Sequence, residues 1–261
     1  MKELPPIAEF FDDEPIITPA AMHGGEKVEI AAGIKTAICT FLCENIDREI
    51  LAPILKDCRL LFYVYGRSGK VPVFQYQDQC LIVLMTVGSP VAAAVMEELK
   101  CLGIQDVIAF GTAGLLDSKI TKDSFMLIEK AIRDEGTSYH YLAPSVYVET
   151  DAGLTAWLEK FLQSGGMPVV RGITWTIDAM FRETKARTVR RREQGAVVVE
   201  MECAGFAAAA KRLGMRFAEF VFFSDTLTNC NWSTFGGKQE QDQRRSLKVT
   251  LLHNLLTAIK K

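Results

Sequence analysis

The amino-acid sequence predicts a single α/β domain of three layers, in which helices cover both faces of a central, largely parallel mixed β-sheet. Three observations favour this class. Short apolar runs alternate with segments of helical periodicity along the chain. Several of those runs have no polar face, as is typical of strands buried on both sides. The 261 residues suffice for one large domain, and no repeat or low-complexity linker divides them.

The elements are predicted in chain order. Residues 1–25 are acidic and rich in Pro and Gly, so we expect an N-terminal arm there, followed by one domain over 26–261. Apolar residues four apart predict a helix over about 28–56. Strands are predicted at 60–65, 71–76, 81–87, 107–110, 125–132, 169–175, 196–199 and 217–223. Further helices are predicted at about 90–101, 152–164, 180–194, 202–213 and 240–259.

Composition excludes several classes of protein. The formal net charge of −2 argues against a nucleic-acid partner. No apolar run approaches the roughly 18 residues that a membrane-spanning helix needs, so no membrane partner is expected. The start of the chain lacks the apolar stretch of a signal peptide, which favours a cytoplasmic location. Seven cysteines without a C-x-x-C pair indicate buried thiols in a reducing compartment, with no metal site and no cofactor.

Two predicted strands end in glycine loops. In open α/β sheets ligands bind beyond the carboxyl ends of the strands, so these loops are candidate site elements. After 81–87, Gly88 allows backbone N–H groups to face an anion; the alternative is an ordinary strand-to-helix turn. After 107–110, Gly111, Thr112 and Gly114 form a loop that can hold a phosphate or a sugar hydroxyl. A generic glycine turn is the alternative here.

Two other predicted strands end in acids. Glu200, Met201 and Glu202 stand between a buried strand and a buried helix, where a carboxylate is costly unless it is paired or holds a ligand. Such a pair of acids suits vicinal hydroxyls; the alternative is acids favoured by the helix dipole. Ser224 and Asp225 follow an aromatic strand, and Asp225 is a candidate general acid or, alternatively, a turn or cap residue. Together, the four junctions predict cleavage of a nucleoside's glycosidic bond.

The same residues resemble a known family. The motifs are Gly88-Ser89-Pro90, Gly111-Thr112-Ala113-Gly114, Val199-Glu200-Met201-Glu202-Cys203-Ala204 and Ser224-Asp225. In order and spacing, from about residue 58 to 230, they resemble the nucleoside phosphorylases of the purine nucleoside and uridine phosphorylase type. The resemblance implies the phosphorylase-like fold, a homo-oligomer, and a pentosyltransferase that uses phosphate as co-substrate and releases free base and ribose 1-phosphate.

The resemblance also implies a role for each site residue. Glu202 would hold the ribose 2′- and 3′-hydroxyls, with Met201 packing on the sugar and Glu200 close by. Asp225 would protonate or hydrogen-bond N7 of a leaving purine, which favours a purine ribonucleoside as substrate. The remaining implied contacts are base contacts from Met180, Phe181, Arg182 or Glu183, and Ser224, and phosphate contacts from Gly88, Gly111 and Thr112.

The sequence departs from the family at the phosphate end. Ala109 stands where the phosphorylases usually carry an arginine, and their N-terminal Gly-Asp-Pro-x-Arg loop is absent, with 18–25 in that region. Water as nucleophile is therefore one alternative, and substitution by Arg48, Arg67 or another basic side chain, from this or a neighbouring subunit, is the other. His23 either reaches a neighbouring subunit's ribose or packs within the arm. A hydrolytic nucleosidase, a uridine phosphorylase and a non-catalytic nucleoside-binding protein remain alternative functions.

Overall fold

The computed structural model describes residues 7, 9, 13–66 and 70–260. Within them the helices are α1 Pro19–Met22, α2 Arg48–Leu55, α3 Ser89–Cys101, α4 Ala152–Ser164, α5 Lys185–Glu193, α6 Cys203–Leu213 and α7 Lys238–Ile259. The strands are β1 Thr36–Thr40, β2 Cys58–Val64, β3 Val71–Tyr76, β4 Cys80–Leu84, β5 Asp106–Leu115, β6 Phe125–Asp134, β7 Tyr147–Glu149, β8 Val169–Ile177, β9 Ala196–Glu200, β10 Arg216–Thr226 and β11 Ser233–Thr234. The predicted mixed α/β class is confirmed.

The strands form one mixed sheet with an open wing and a closed end. In the wing, β1 pairs in parallel with β4 and β5, and β3 joins β4 to β2 in antiparallel fashion. At the other end, β5 pairs with both β10 and β9, and β6 and β8 complete a ring of five strands. Because β5 belongs to both parts, its carboxyl end lies where wing and ring meet.

Helices cover both sides of this sheet. On one side, α3 and α6 pack against alternate strand residues such as Ala37 and Cys39. On the other, α2, α4 and α7 pack against the intervening positions, for example Ile38. The alternation along β1 is the two-residue period of a strand buried on both faces. The structure thus has the three layers that the sequence predicts.

One predicted element is wrong. Residues 28–56 are not one helix, because 36–40 form the central strand β1 and α2 begins only at Arg48. Ile34, Ile38 and Leu42 satisfy a helical spacing, yet a short apolar run fits a buried strand equally well. Pairing with β4 and β5 satisfies the backbone of this segment on both edges, which outweighs its helical pattern. This difference matters for function, because β1 leads directly to the site.

The predicted helix over 180–194 begins later than expected. Met180–Arg182 form a single 3₁₀ turn, and α5 starts at Lys185. Thr184 caps α5 by accepting a hydrogen bond from the N–H of Arg187 at 3.4 Å. The turn is therefore separated from the helix and free to face the cleft described below.

The described part of the predicted N-terminal arm lies on α3. α1 contacts α3, and His23 Nε2 is 2.9 Å from Glu98 Oε2. His23 also meets the ring of Phe62 edge-on. His23 therefore packs between Glu98 and Phe62, and both its contact with a neighbouring subunit's ribose and the division at residue 25 stay predictions. Of the helices in 13–66 and 70–260, none combines the length and apolar character that a bilayer crossing requires.

Candidate active site

The carboxyl ends of β5, β9 and β10 open into a cleft of about 690 Å³. The cleft is lined by most of the site residues predicted from the sequence. These are Gly111, Thr112, Gly114, Met180, Phe181, Glu183, Glu200, Met201, Glu202, Ser224 and Asp225. Two predicted residues, Gly88 and Arg182, do not line it. Residues far apart in the chain therefore converge on one hollow large enough for a nucleoside.

Glu202 lies at the junction between β9 and α6, with 6% of its surface exposed. Its Oε1 accepts a hydrogen bond from the N–H of Gly88 at 2.5 Å, so Gly88 supports a cleft residue. Burial raises the pKa of Glu202 to about 8, with a further contribution from the charge of Glu200. A buried carboxyl group at the cleft wall is suited to hydrogen bonding with sugar hydroxyls.

Both carboxyl oxygens of Glu200 accept hydrogen bonds from the protein itself. Its Oε1 accepts hydrogen bonds from the hydroxyls of Thr174 and Thr176 at 3.0 and 2.5 Å. Its Oε2 accepts the N–H groups of Glu202 and Cys203 at 2.6 and 2.7 Å. Burial raises its pKa, against the effect of these donors. Glu200 therefore fixes the start of α6 and the backbone of Glu202, and its proposed contact with ribose stays a prediction.

Asp225 lies at the end of β10, half-buried. Its Oδ1 accepts from the hydroxyl of Ser224 at 2.5 Å, and its Oδ2 accepts from the indole N–H of Trp232 at 3.0 Å. Gly114 allows this approach, since a Cβ there would lie 3.2 Å from Asp225 Oδ2 and 3.0 Å from a methyl of Val199. The carboxylate is thus held at the opening of the cleft.

An apolar rim surrounds Asp225. Met180, Phe181 and Trp232 are 54%, 94% and 68% exposed at the mouth of the cleft. Aromatic and thioether side chains provide flat apolar contact for a base. Glu183 follows the same turn, and burial together with the charge of Asp225 raises its pKa to about 7. A carboxyl group whose pKa lies near neutral pH therefore lines the cleft within electrostatic range of Asp225.

The sequence analysis missed several cleft residues, three of which bear on the chemistry of the site. Phe41 follows β1, and a Cβ on Gly111 would lie only 2.7 Å from its ring. Lys248 on α7 donates to the carbonyl of Phe41 at 2.8 Å. Glu219, in the middle of β10, is 1% exposed and also lines the cleft. Only Glu219 had a sequence indication, as an isolated acid inside an apolar strand.

Two of the missed residues, Lys248 and Glu219, have shifted pKa values. Burial lowers the pKa of Lys248 to about 8; nearby Asp47 opposes this shift and Arg245 adds to it. Burial raises the pKa of Glu219 well above its usual range, with additional contributions from the charges of Glu200 and Glu202. Perturbed groups gathered in one cleft are typical of functional sites.

Among the described residues, no arginine lines the cleft. Ala109 is fully buried, and its neighbour in register on β10 is Glu219. Arg48 is exposed at the start of α2 and does not line the cleft. Arg67 lies outside the described residues. In the part of the chain that the structure describes, no group of three or more His, Cys, Asp or Glu is arranged to hold a metal ion.

Comparisons with known proteins place this chain in a family. Residues 45–260 match the family model of the phosphorylase superfamily. The chain therefore belongs to the phosphorylase superfamily, whose members include nucleoside phosphorylases and nucleosidases.

A guanosine phosphorylase of Halorubrum lacusprofundi is 24% identical over 222 residues, which are 82% of this chain and 90% of the relative. Two solved structures share the fold. A uridine phosphorylase of Vibrio fischeri matches with a TM-score of 0.68 and 18% identity, over 88% of this chain and 93% of that one. A futalosine hydrolase mutant of Helicobacter pylori matches with a TM-score of 0.67 and 16% identity, over 86% and 99% of the two chains.

Proposed function

We propose that this protein is a nucleoside phosphorylase that cleaves the N-glycosidic bond of a purine ribonucleoside. The observation that carries the proposal is the shared cleft of Glu202 and Asp225, which come from different strand ends. One carboxyl group lies where a sugar can be held, and the other lies beside an apolar rim that suits a base. The similarity to a guanosine phosphorylase supports a purine substrate.

In the proposed reaction, a phosphate oxygen bonds to C1′ as the bond from C1′ to N9 breaks. The bond's electron pair leaves with the base, and a proton passes from Asp225 to N7. The products are free purine and ribose 1-phosphate. Glu202 accepts hydrogen bonds from the 2′- and 3′-hydroxyls and fixes the sugar. The developing oxocarbenium ion therefore stays aligned with the nucleophile. Met201 packs on the sugar, and Met180 and Phe181 cover the base.

Thr112 and the backbone N–H groups beside Gly111 are the proposed phosphate contacts at the inner end of the cleft. Gly88 also stays a prediction for this role, although its N–H donates to Glu202 in this structure. Arg182 or Glu183, and Ser224, remain proposed base contacts, and of the first two only Glu183 lines the cleft. No cofactor is proposed besides phosphate as co-substrate.

Hydrolysis is the second candidate. It is favoured by the composition of the described cleft lining, where acids outnumber bases, because each acid that ionises there repels a phosphate dianion but not water. The test is base release from guanosine, inosine, adenosine and uridine, in phosphate and in phosphate-free buffer, with the sugar product identified. We expect release to require phosphate and to yield ribose 1-phosphate. Equal rates without phosphate, with free ribose, would establish hydrolysis instead.

We also propose a cytoplasmic homo-oligomer. Large apolar side chains are exposed on the described surface, including Ile16 at 98% and Phe181 at 94%. Association of copies would cover such groups. Light scattering at several protein concentrations measures the assembly, and a mass equal to a single chain at all of them would exclude it.

A further inference from the structure

Among the ionisable side chains that line the cleft, acids outnumber bases. Five of those described are acids, namely Glu183, Glu200, Glu202, Glu219 and Asp225, and one is a base, Lys248. A phosphate dianion is repelled by ionised acids and attracted by an ammonium group. The position of this one ammonium group therefore decides where an anion can be held.

Lys248 lies at the inner end of the cleft, away from Asp225. Its ammonium group donates to the carbonyl of Phe41, whose ring rests against Gly111. Asp225 instead approaches Gly114, three positions further along β5. Three residues of a strand span about 10 Å, so Lys248 and Asp225 are associated with separate parts of the cleft.

The Lys248 ammonium group has N–H donors that no described residue uses. It carries three N–H donors. Among the described residues it makes one hydrogen bond, to Phe41, and no carboxylate lies within 4.0 Å of it. Asp47 acts on it only at longer range and is itself 3.6 Å from Arg245. Two N–H donors thus remain for an acceptor in the cleft.

We infer that Lys248 binds the nucleophilic phosphate, in place of an arginine from the strands. This inference rests on the proposed phosphorolysis. A charge-assisted hydrogen bond from the ammonium group to a phosphate oxygen, together with the Thr112 hydroxyl, holds the anion next to the sugar. The positive charge at the phosphate thus comes from Lys248 on α7. The strand β5 has the uncharged Ala109 at the position where the phosphorylases usually carry an arginine.

The experiment separates charge from structure with four variants. Lys248→Met removes donor and charge, Lys248→Gln keeps a donor toward Phe41 without the charge, and Lys248→Arg keeps the charge. Lys238→Met is the matched control, an exposed lysine on the same helix. Circular dichroism checks folding. The Michaelis constants for phosphate and nucleoside are measured separately, and inorganic phosphate is titrated calorimetrically into each protein without nucleoside.

We expect Lys248→Met and Lys248→Gln to raise the KM for phosphate about tenfold or more. The KM for nucleoside should stay within about twofold, Lys248→Arg should recover phosphate binding at least in part, and Lys238→Met should match the parent protein. If the Lys248→Met variant does not fold, the Lys248→Gln variant provides the test of the role of Lys248.

An unchanged phosphate KM in a folded Lys248→Gln variant overturns the role of Lys248 and leaves phosphorolysis standing. A parent protein that binds no phosphate and releases ribose overturns both.

Discussion

Glu200 and Glu202 are separated by a single residue, yet their carboxyl groups have different partners. Both oxygens of Glu200 accept hydrogen bonds from the protein, including two from the backbone at the start of α6. Glu202 takes the N–H of Gly88 and faces the cleft. The difference indicates a structural role for Glu200 and supports the proposed substrate contact of Glu202, so substitutions of the two should have different effects.

Glu202→Ala should lower kcat/KM for a purine ribonucleoside by about 10- to 100-fold, because one acceptor for two sugar hydroxyls is lost. The loss should shrink on the corresponding 2′-deoxynucleoside, which lacks one of those hydroxyls. Steady-state kinetics of both proteins on both substrates give the coupling between side chain and hydroxyl. Equal losses on the two substrates would contradict direct contact with the 2′-hydroxyl.

Asp225→Asn should slow purine release by about 10²–10⁴-fold, because the amide cannot donate the proton that N7 requires. The side chain keeps its shape and can still meet Ser224 and Trp232. The matched control is a substrate, 7-methylguanosine, whose base already carries a positive charge and leaves without protonation. Its cleavage should be much less affected, and an equal loss on both substrates would point to a structural role.

At the scale of elements, the site depends on the contact between α6 and α3. Gly205 in α6 is buried against Ser89 at the start of α3, and a Cβ at Gly205 would lie 2.8 Å from the Cβ of Ser89. The Ser89 hydroxyl donates to the carbonyl of Met201 at 2.9 Å. The close approach of the two helices therefore positions the β9 to α6 junction that bears Glu202.

Gly205→Ala should destabilise the fold by about 1–3 kcal/mol, although alanine is the better helix former, because the added methyl group meets backbone and Cβ atoms of Ser89. Gly153→Ala, in the exposed first turn of α4, is the control and should be neutral or stabilising by up to about 1 kcal/mol. Urea denaturation of both variants measures the difference. Equal stability of the two variants would mean that α6 and α3 can separate without penalty.

At the scale of the whole molecule, buried acids make stability depend on pH. The pKa values of Glu183, Glu202 and Glu219 are raised by burial, to about 7 for Glu183 and about 8 for Glu202. The folded protein therefore binds more protons than the unfolded chain above the ordinary carboxyl pKa. Unfolding releases those protons, so this contribution to stability is complete below about pH 4.5 and is lost as pH rises toward 8.

The free energy of unfolding should fall between pH 5 and pH 8, and Glu219→Gln should flatten the fall, because its neutral amide does not need to stay protonated. Lys248 has a lowered pKa and acts in the opposite sense, but only above about pH 8. Urea denaturation at fixed protein concentration gives the profile, with Glu193→Gln on the exposed side of α5 as control. If the Glu219→Gln variant gave a profile as steep as that of the parent, Glu219 would not hold a proton in the folded state.

The sequence predicted most of the fold because its strands are apolar and its helices periodic over whole segments. It also located Glu202 and Asp225, since an acid at the end of a buried strand is costly and so marks a site. β1 was mistaken for helix, because four-residue spacing over a short apolar run does not distinguish the two. Nothing local could show that sheet pairing on both edges of 36–40 would decide the outcome.

What the sequence by itself determined is the alternation of most strands and helices and the acids at the strand ends, because both follow from local patterns. Only the tertiary structure decided which side chains share the cleft. Phe41, Glu219 and Lys248 come from a loop, a strand interior and a distant helix, and their meeting depends on how β1 and α7 pack. The perturbed pKa values also arise there, because desolvation and neighbouring charge exist only once the chain has folded.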